Sequence, residues 1–128
     1  MKSFIFKKNS MQIGYFTVEG ENCFNRIKEY LQQEYQKGYA VSIPEGFLVF
    51  TENYSLMTSS DLMVSIRLQQ VKQSDNACEI EVVAGGGGKG IFHLRFGNEG
   101  RRVDKISDRI AKFCFDLNYK VSKFAGTR

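Results

Sequence analysis

The residue types most suggestive of chemistry fall in one stretch. Gly85-Gly86-Gly87-Gly88-Lys89-Gly90 places five glycines and a lysine between two alternating apolar segments, Glu79–Ala84 and Ile91–Phe96. Glycine-rich loops can wrap phosphate groups with their backbone N–H groups. Gly85, Gly87 and Gly90 formally satisfy the Gly-x-Gly-x-x-Gly pattern of dinucleotide sites, but a run this rich in glycine satisfies it almost automatically. The pattern has meaning only where a helix follows directly and its N-terminus holds the pyrophosphate. Ile91–Phe96 has period two, which predicts a strand. The P-loop pattern fails as well: Val83 stands where a glycine is required, and Gly90 where serine or threonine is required.

A hairpin accounts for the same residues without a ligand. Setting Val82 opposite Phe92 puts Ile80 opposite Leu94 and Cys78 opposite Phe96 on a core face. It also puts Glu81 opposite His93 and Glu79 opposite Arg95 on the outer face, where opposite charges stabilise a strand pair modestly. Lys89 then sits at the loop tip.

The remaining candidates are few. His93 is the sole histidine, and neither a second histidine nor a Cys-x-x-Cys pair is present to complete a zinc set. Cys23, Cys78 and Cys114 are odd in number and widely spaced, which points to free thiols in a reducing compartment. Cys23 opens a predicted helix, where a thiol pKa can be lowered. Arg101-Arg102 falls in the first turn of another predicted helix, against the macrodipole. With Lys89, these two arginines are the candidates for holding an anion. No nucleophile with its base, no carboxylate pair and no metal set can be assembled. The expectation is a protein that is not an enzyme, with no catalytic residues, no metal and no cofactor.

The elements that would position these residues read as follows. Phe4-Ile5-Phe6 suggests a short strand, and Met11–Val18 a better one whose apolar side switches near Tyr15-Phe16. Asn22 is a predicted N-cap for a helix with Phe24, Ile27, Leu31 and Tyr35 on one face, stopped by Gly38. Ala40–Ile43 and Phe47–Leu56 flank a turn at Pro44-Glu45-Gly46, with glycine expected to take the positive φ. Asp61–Lys72 alternates cleanly, Ser74-Asp75-Asn76 turns the chain, and Glu79–Ala84 and Ile91–Phe96 follow. A final helix from about Gly100 to Tyr119 carries Val103, Ile106, Ile110, Phe113 and Leu117 as a stripe. Residues 123–128 are expected to fray.

The predicted fold is therefore α+β in one domain, 1–128. It is a single curved antiparallel sheet of five to six strands with two helices on one face, in the order β(β)-α-β-β-β-β-β-α. Helix-grip proteins and proteins of the TATA-binding type share such an order. The order, the glycine-rich hairpin and the Gly97-Asn98-Glu99-Gly100 approach to the last helix resemble a family of short bacterial proteins classed as a domain of unknown function. The resemblance covers Ala77 to about Ile110. It implies the fold order and a bacterial, cytoplasmic setting, and it assigns no catalytic or binding residue.

Composition bounds the function. The 128 residues are 42% hydrophobic and 13% aromatic, with 11 Phe and 6 Tyr, so the chain can bury a core. The net charge of +4 is dispersed, whereas nucleic-acid binders concentrate basic charge on one face. No signal peptide or membrane-spanning run is expected, which leaves a cytoplasmic protein. Three readings follow. The first is a binding domain holding an apolar or amphipathic ligand between the sheet and the C-terminal helix, in a pocket lined by Phe50, Tyr54, Phe92, Phe96 and Phe113. The second is a protein-interaction module or homodimer using Met63, Val71, Val83 and Ile91 on the outer face. The third, nucleic-acid binding across the sheet, is opposed by Glu79 and Glu81.

Overall fold

The computed structural model describes the backbone of residues 12–55, 60–86 and 96–123, and the side chains of residues 13–52, 63–85 and 103–122. It is an α+β fold. The elements run β1 (Gln12–Glu19), α1 (Cys23–Glu34), β2 (Tyr39–Ile43), β3 (Gly46–Ser55), β4 (Ser60–Val71), β5 (Ser74–Gly86), α2 (Phe96–Asp116) and β6 (Lys120–Lys123). Strands β2 to β5 form a meander, and β1 returns beside β5. The sheet order is β2-β3-β4-β5-β1-β6, and every neighbouring pair is antiparallel.

Alternation decides which residues go inside, because successive strand side chains point to opposite faces. Phe16 and Val18 of β1, Phe47 and Val49 of β3, Val64, Ile66 and Leu68 of β4, and Cys78, Ile80, Val82 and Ala84 of β5 are buried in one cluster. Both helices close that same cluster. α1 contributes Cys23, Phe24, Ile27 and Leu31, and α2 contributes Val103, Ile106, Ile110 and Cys114. Tyr30 of α1 stacks on Phe113 of α2 with ring centroids 4.5 Å apart, so the helices also touch each other.

β1 alternates without a switch. The register runs unbroken from Gln12 opposite Ala84 to Glu19 opposite Ala77. Its core-facing row is Gly14, Phe16, Val18, and the glycine conceals the pattern. A Cβ at Gly14 would stand 2.8 Å from Ser107 Oγ and 2.9 Å from Val103 Cγ1, so α2 rests directly on the bare backbone there.

Several sequence expectations are corrected. The hairpin between Glu79–Ala84 and Ile91–Phe96 does not form: β5 has β4 on one edge and β1 on the other, which leaves no edge free. Phe96 begins α2 and is not in a strand; residues 91–95 lie outside the described residues. Four described strands separate the helices, and β6 follows α2 at Lys120–Lys123, between the expected helix end at Tyr119 and the frayed end expected from Lys123. The positive φ in the β2–β3 turn belongs to Glu45 (φ 58°), not Gly46. The β4–β5 turn is Lys72–Gln73, both at positive φ. Ser74–Ala77 instead belongs to β5, where the ladder shifts register between Gln70 and Val71.

The helix ends also differ from expectation. Asn22 is left-handed (φ 57°) and makes no side-chain cap; its own N–H donates to Asn76 Oδ1 at 2.7 Å. Gly20 N–H donates to the Asn76 carbonyl at 3.0 Å, so the irregular start of β5 holds the corner between β1 and α1. Gly38 matters for space: a Cβ there would lie 2.5 Å from the Phe50 carbonyl oxygen. α2 closes at left-handed Asn118 (φ 65°). Tyr119 N–H donates to the Cys114 carbonyl and Asn118 N–H to that of Phe115, the paired bonds of a Schellman stop. The Tyr119 ring then lies over Gly20, where a Cβ would collide with the ring at Cδ1, and its hydroxyl donates to the Glu21 carbonyl at 2.8 Å.

Candidate functional site: the open face of the sheet

With both helices on one face, the other face of the sheet carries no described helix. The strand registers arrange its side chains in rows across the strands. One row runs Tyr39, Phe50, Ser65, Val83, Ile13; the next runs Val41, Leu48, Arg67, Glu81, Tyr15; a third runs Ile43, Gly46, Gln69, Glu79, Thr17. Tyr39 is 65% exposed and Met63, one step further along β4, is 47% exposed. The Tyr39 and Phe50 rings stack at 6.3 Å between centroids. The flank made by β2 and β3 is thus apolar and aromatic, and Ile13, Tyr15 and Val83 form a second apolar group.

Between these groups lies a charged cluster. Arg67 Nε donates to Glu81 Oε1 at 3.2 Å, its second terminal nitrogen is 3.7 Å from Glu79 Oε1, and its first donates to Gln69 Oε1 at 3.4 Å. All three charged side chains are partly buried. Arg67 of β4 thus pairs with both carboxylates expected to face Arg95 and His93; Arg95 and His93 lie outside the described residues. Among the described residues, one guanidinium faces two carboxylates in the middle of this face.

Two of the residues expected to line a pocket are held apart. Phe50 lies on the open face and Phe113 packs in the helical layer against Tyr30, with the sheet between them. Tyr54 belongs to β3 opposite Asp61 and Phe96 opens α2; their side chains, like Phe92, lie outside the described residues. The same holds for the anion candidates: Lys89 is outside them, and Arg101 and Arg102 lie in the α2 backbone with side chains outside them. α2 does follow the glycine run, as a dinucleotide site would need, but the sheet is antiparallel throughout and supplies no parallel βαβ crossover. Of the residues expected for self-association, Met63 and Val83 sit on the open face, Val71 ends β4 beyond the register shift, and Ile91 is outside the described residues. The sequence reading missed Tyr39, Val41, Leu48 and Tyr15. Their signal was the alternation of Tyr39, Val41, Ile43 with Ala40, Ser42.

The thiols are interior. Cys23, Cys78 and Cys114 are free and buried. Cys23 Sγ and Cys78 Sγ share a hydrogen bond at 3.6 Å, and Cys23 Sγ also lies 3.7 Å from the Val18 carbonyl. That shared bond, with help from backbone N–H groups at the start of α1, lowers the Cys23 pKa. The same bond, together with burial, raises that of Cys78. Burial pushes Cys114 up to about 12. Ser107 Oγ is buried against Gly14 with no hydrogen-bond partner among the described residues. Among the described residues, no three His, Cys, Asp or Glu side chains gather as a metal site, and no helix is long and apolar enough to cross a membrane.

No protein-family model matches the chain, and no curated protein or solved structure is found to be similar to it.

Proposed function

We propose that this chain is a small non-catalytic binding domain that presents the open face of its sheet to a protein partner. The observation that carries the reading is the composition of that face: an aromatic and aliphatic flank of Tyr39, Val41, Ile43, Leu48 and Phe50 beside the Arg67–Glu79–Glu81 cluster. Protein interfaces combine aromatic anchors with polar groups that fix orientation. The hydrogen-bonded thiols Cys23 and Cys78 suit a reducing compartment, which is the basis for assigning the cytoplasm.

The ligand reading has less support. A helix-grip-like arrangement is the expectation behind it, with a ligand lying between sheet and closing helix. Here α2 meets Gly14 with less than one side chain's breadth between them, and Ile66, Leu68, Ile80 and Ile110 are fully buried in that layer. Nucleic acid across the sheet, as in the TATA-binding type, would meet Glu79 and Glu81 at its centre.

Site-specific photo-cross-linking tests the proposal. A cross-linker at Leu48, on the open face, should give a defined protein adduct in extract of the source cells. Tyr39→Asp with Phe50→Asp should abolish the adduct while leaving the far-UV circular dichroism unchanged. A cross-linker at Lys105, on the exposed side of α2, is the control. Equal labelling from both positions, or none from Leu48, would refute the reading.

A further inference from the structure

We propose that β2 is a self-pairing edge: two copies of this chain set their β2 strands antiparallel about Val41 and join their sheets into one. This rests on the protein-binding reading above and names the partner as a second copy.

The two edges of the sheet are treated differently by the sequence. Exposed edge strands present unpaired N–H and C=O groups, and proteins usually block them with lysines, prolines or bulges. β6, at one edge, has four residues of which Lys120 and Lys123 are charged. β2, at the other, reads Tyr-Ala-Val-Ser-Ile, with no charge or proline and an unbroken register on β3 from Tyr39–Phe50 to Ile43–Gly46. Its side chains are exposed or half-exposed throughout.

The backbone fixes which β2 groups are free among the described residues. Gln70 N–H donates to the Glu45 carbonyl at 2.8 Å. In an antiparallel ladder, bonding to a given neighbour alternates along the strand. Residues 45, 47 and 49 therefore turn their polar groups to β4, and Gly46, Leu48 and Phe50 turn theirs to β2. Their partners Ile43, Val41 and Tyr39 are thereby used, and Ala40 and Ser42 aim their N–H and C=O groups off the edge. A second β2 pairs with full reciprocity in one register, Ala40 opposite Ser42 of the second copy and Ser42 opposite its Ala40. Moving the centre to residue 40 brings in Gly38, whose N–H is already given to the Tyr35 carbonyl at 3.0 Å. Moving it to residue 42 brings in Pro44, which has no N–H.

The side chains agree with that register. Val41 meets Val41 on the two-fold axis, and exposed Tyr39 meets Ile43 of the second copy, an aromatic and β-branched cross-strand pair. Lys37 and Glu45 flank opposite ends of β2 in turns, so this register brings the lysine end of each copy to the glutamate end of the other, where Glu45 Oε2 also accepts from Gln73 Nε2 at 2.7 Å. The charge complementarity is thus a property of the register that the backbone already selects. On the helical side only the small Ala40 and Ser42 approach, and both are exposed. Pairing places the two open faces side by side as one surface.

Sedimentation equilibrium on the full chain tests this. The wild-type protein should be a concentration-dependent dimer. Val41→Lys puts two ammonium groups on the axis and should weaken the dimer about a hundredfold. Lys37→Glu and Glu45→Lys should each weaken it about three- to tenfold, and the double variant should return to near wild type. Hydrogen exchange should show the Ala40 and Ser42 amides protected in the wild type and fast in Val41→Lys, with the Val41-position amide slow in both. If Val41→Lys fails to fold by circular dichroism, the charge-swap series and the exchange pattern decide. A monomer up to roughly 100 μM, well above the range of specific dimers, would overturn the proposal. So would a dimer indifferent to these substitutions with Ala40 and Ser42 exchanging freely. A monomer still cross-linked from Leu48 to another protein loses only the self-pairing. A β2 dimer with no heterologous adduct leaves the self-pairing intact and makes the second copy the partner.

Discussion

Gly14→Ala measures how closely α2 is seated on the sheet. The added methyl would lie 2.8 Å from Ser107 Oγ and 2.9 Å from Val103 Cγ1, well inside van der Waals contact. Overpacking of this kind costs about 1–3 kcal/mol, and Val103 yields little because its χ1 is stiff in a helix. Alanine recovers about 0.5–1 kcal/mol of backbone entropy relative to glycine. The net expectation is a loss of about 1 kcal/mol, read in urea denaturation as a lower midpoint with an unchanged m-value. Ser107→Ala acts in the opposite direction. It removes a buried hydroxyl with no partner among the described residues, a gain of about 1 kcal/mol, and alanine is the better helix former. In the double variant the 2.8 Å clash is gone, so the cycle should show favourable coupling of about 0.5–1 kcal/mol. A Gly14→Ala protein as stable as wild type, or a cycle with no coupling, would refute the close seating of α2.

Other expectations are independent of this one. Lys72 and Gln73 hold φ values of 55° and 59° in a tight turn of the kind that favours Asn-Gly, so Lys72→Asn with Gln73→Gly should raise stability by about 1 kcal/mol in the same assay. Cys114 titrates near 12 when folded against an ordinary 9.0. Between those values the unfolded chain has released a proton that the folded one retains, so stability is intact below pH 9 and falls as pH rises. That one thiol contributes about 1.4 kcal/mol per pH unit, which melting curves from pH 8 to 11 would detect and Cys114→Ala would diminish. Tyr119→Phe removes the hydroxyl bond to the Glu21 carbonyl and should cost about 0.5–1.5 kcal/mol; no change in melting temperature would count against that clasp.

Local pattern told the face of each residue and little about its neighbour. The alternation of Leu62, Val64, Ile66 and Leu68 and the helical stripe of Phe24, Ile27 and Leu31 were legible because burial on one side imposes a period. The partner of β5 was not. Alternation is equally satisfied by a hairpin with Ile91–Phe96 or by β1, and only long-range closure of the sheet selects β1. Gly14 looked like a change of face because a missing side chain is also where a helix can touch. The positive φ angles at Glu45, Lys72 and Gln73 fall on residues with no strong turn preference, so surrounding structure imposes them, whereas Asn118 is of a type that takes the left-handed region readily. Part of the open face was legible through Met63 and Val83. The aromatic flank was misassigned, since Phe50 looks like a pocket residue until β3 shows which way it points.

The insertion of β1 between β5 and β6 has a kinetic meaning. The meander β2 to β5 joins strands that are neighbours in the chain, and each can zip onto the last as synthesis proceeds. β1 precedes the meander in the chain, yet Glu19 must wait for Ala77 and Phe16 for Lys123. Until then, the β1 strand has no ladder and the core row of Phe16 and Val18 has no cover. Non-local closures of this kind set the pace of folding. Pulse-labelled hydrogen exchange should therefore find β1 amides protected after those of β3 and β4, although β1 precedes both in the chain.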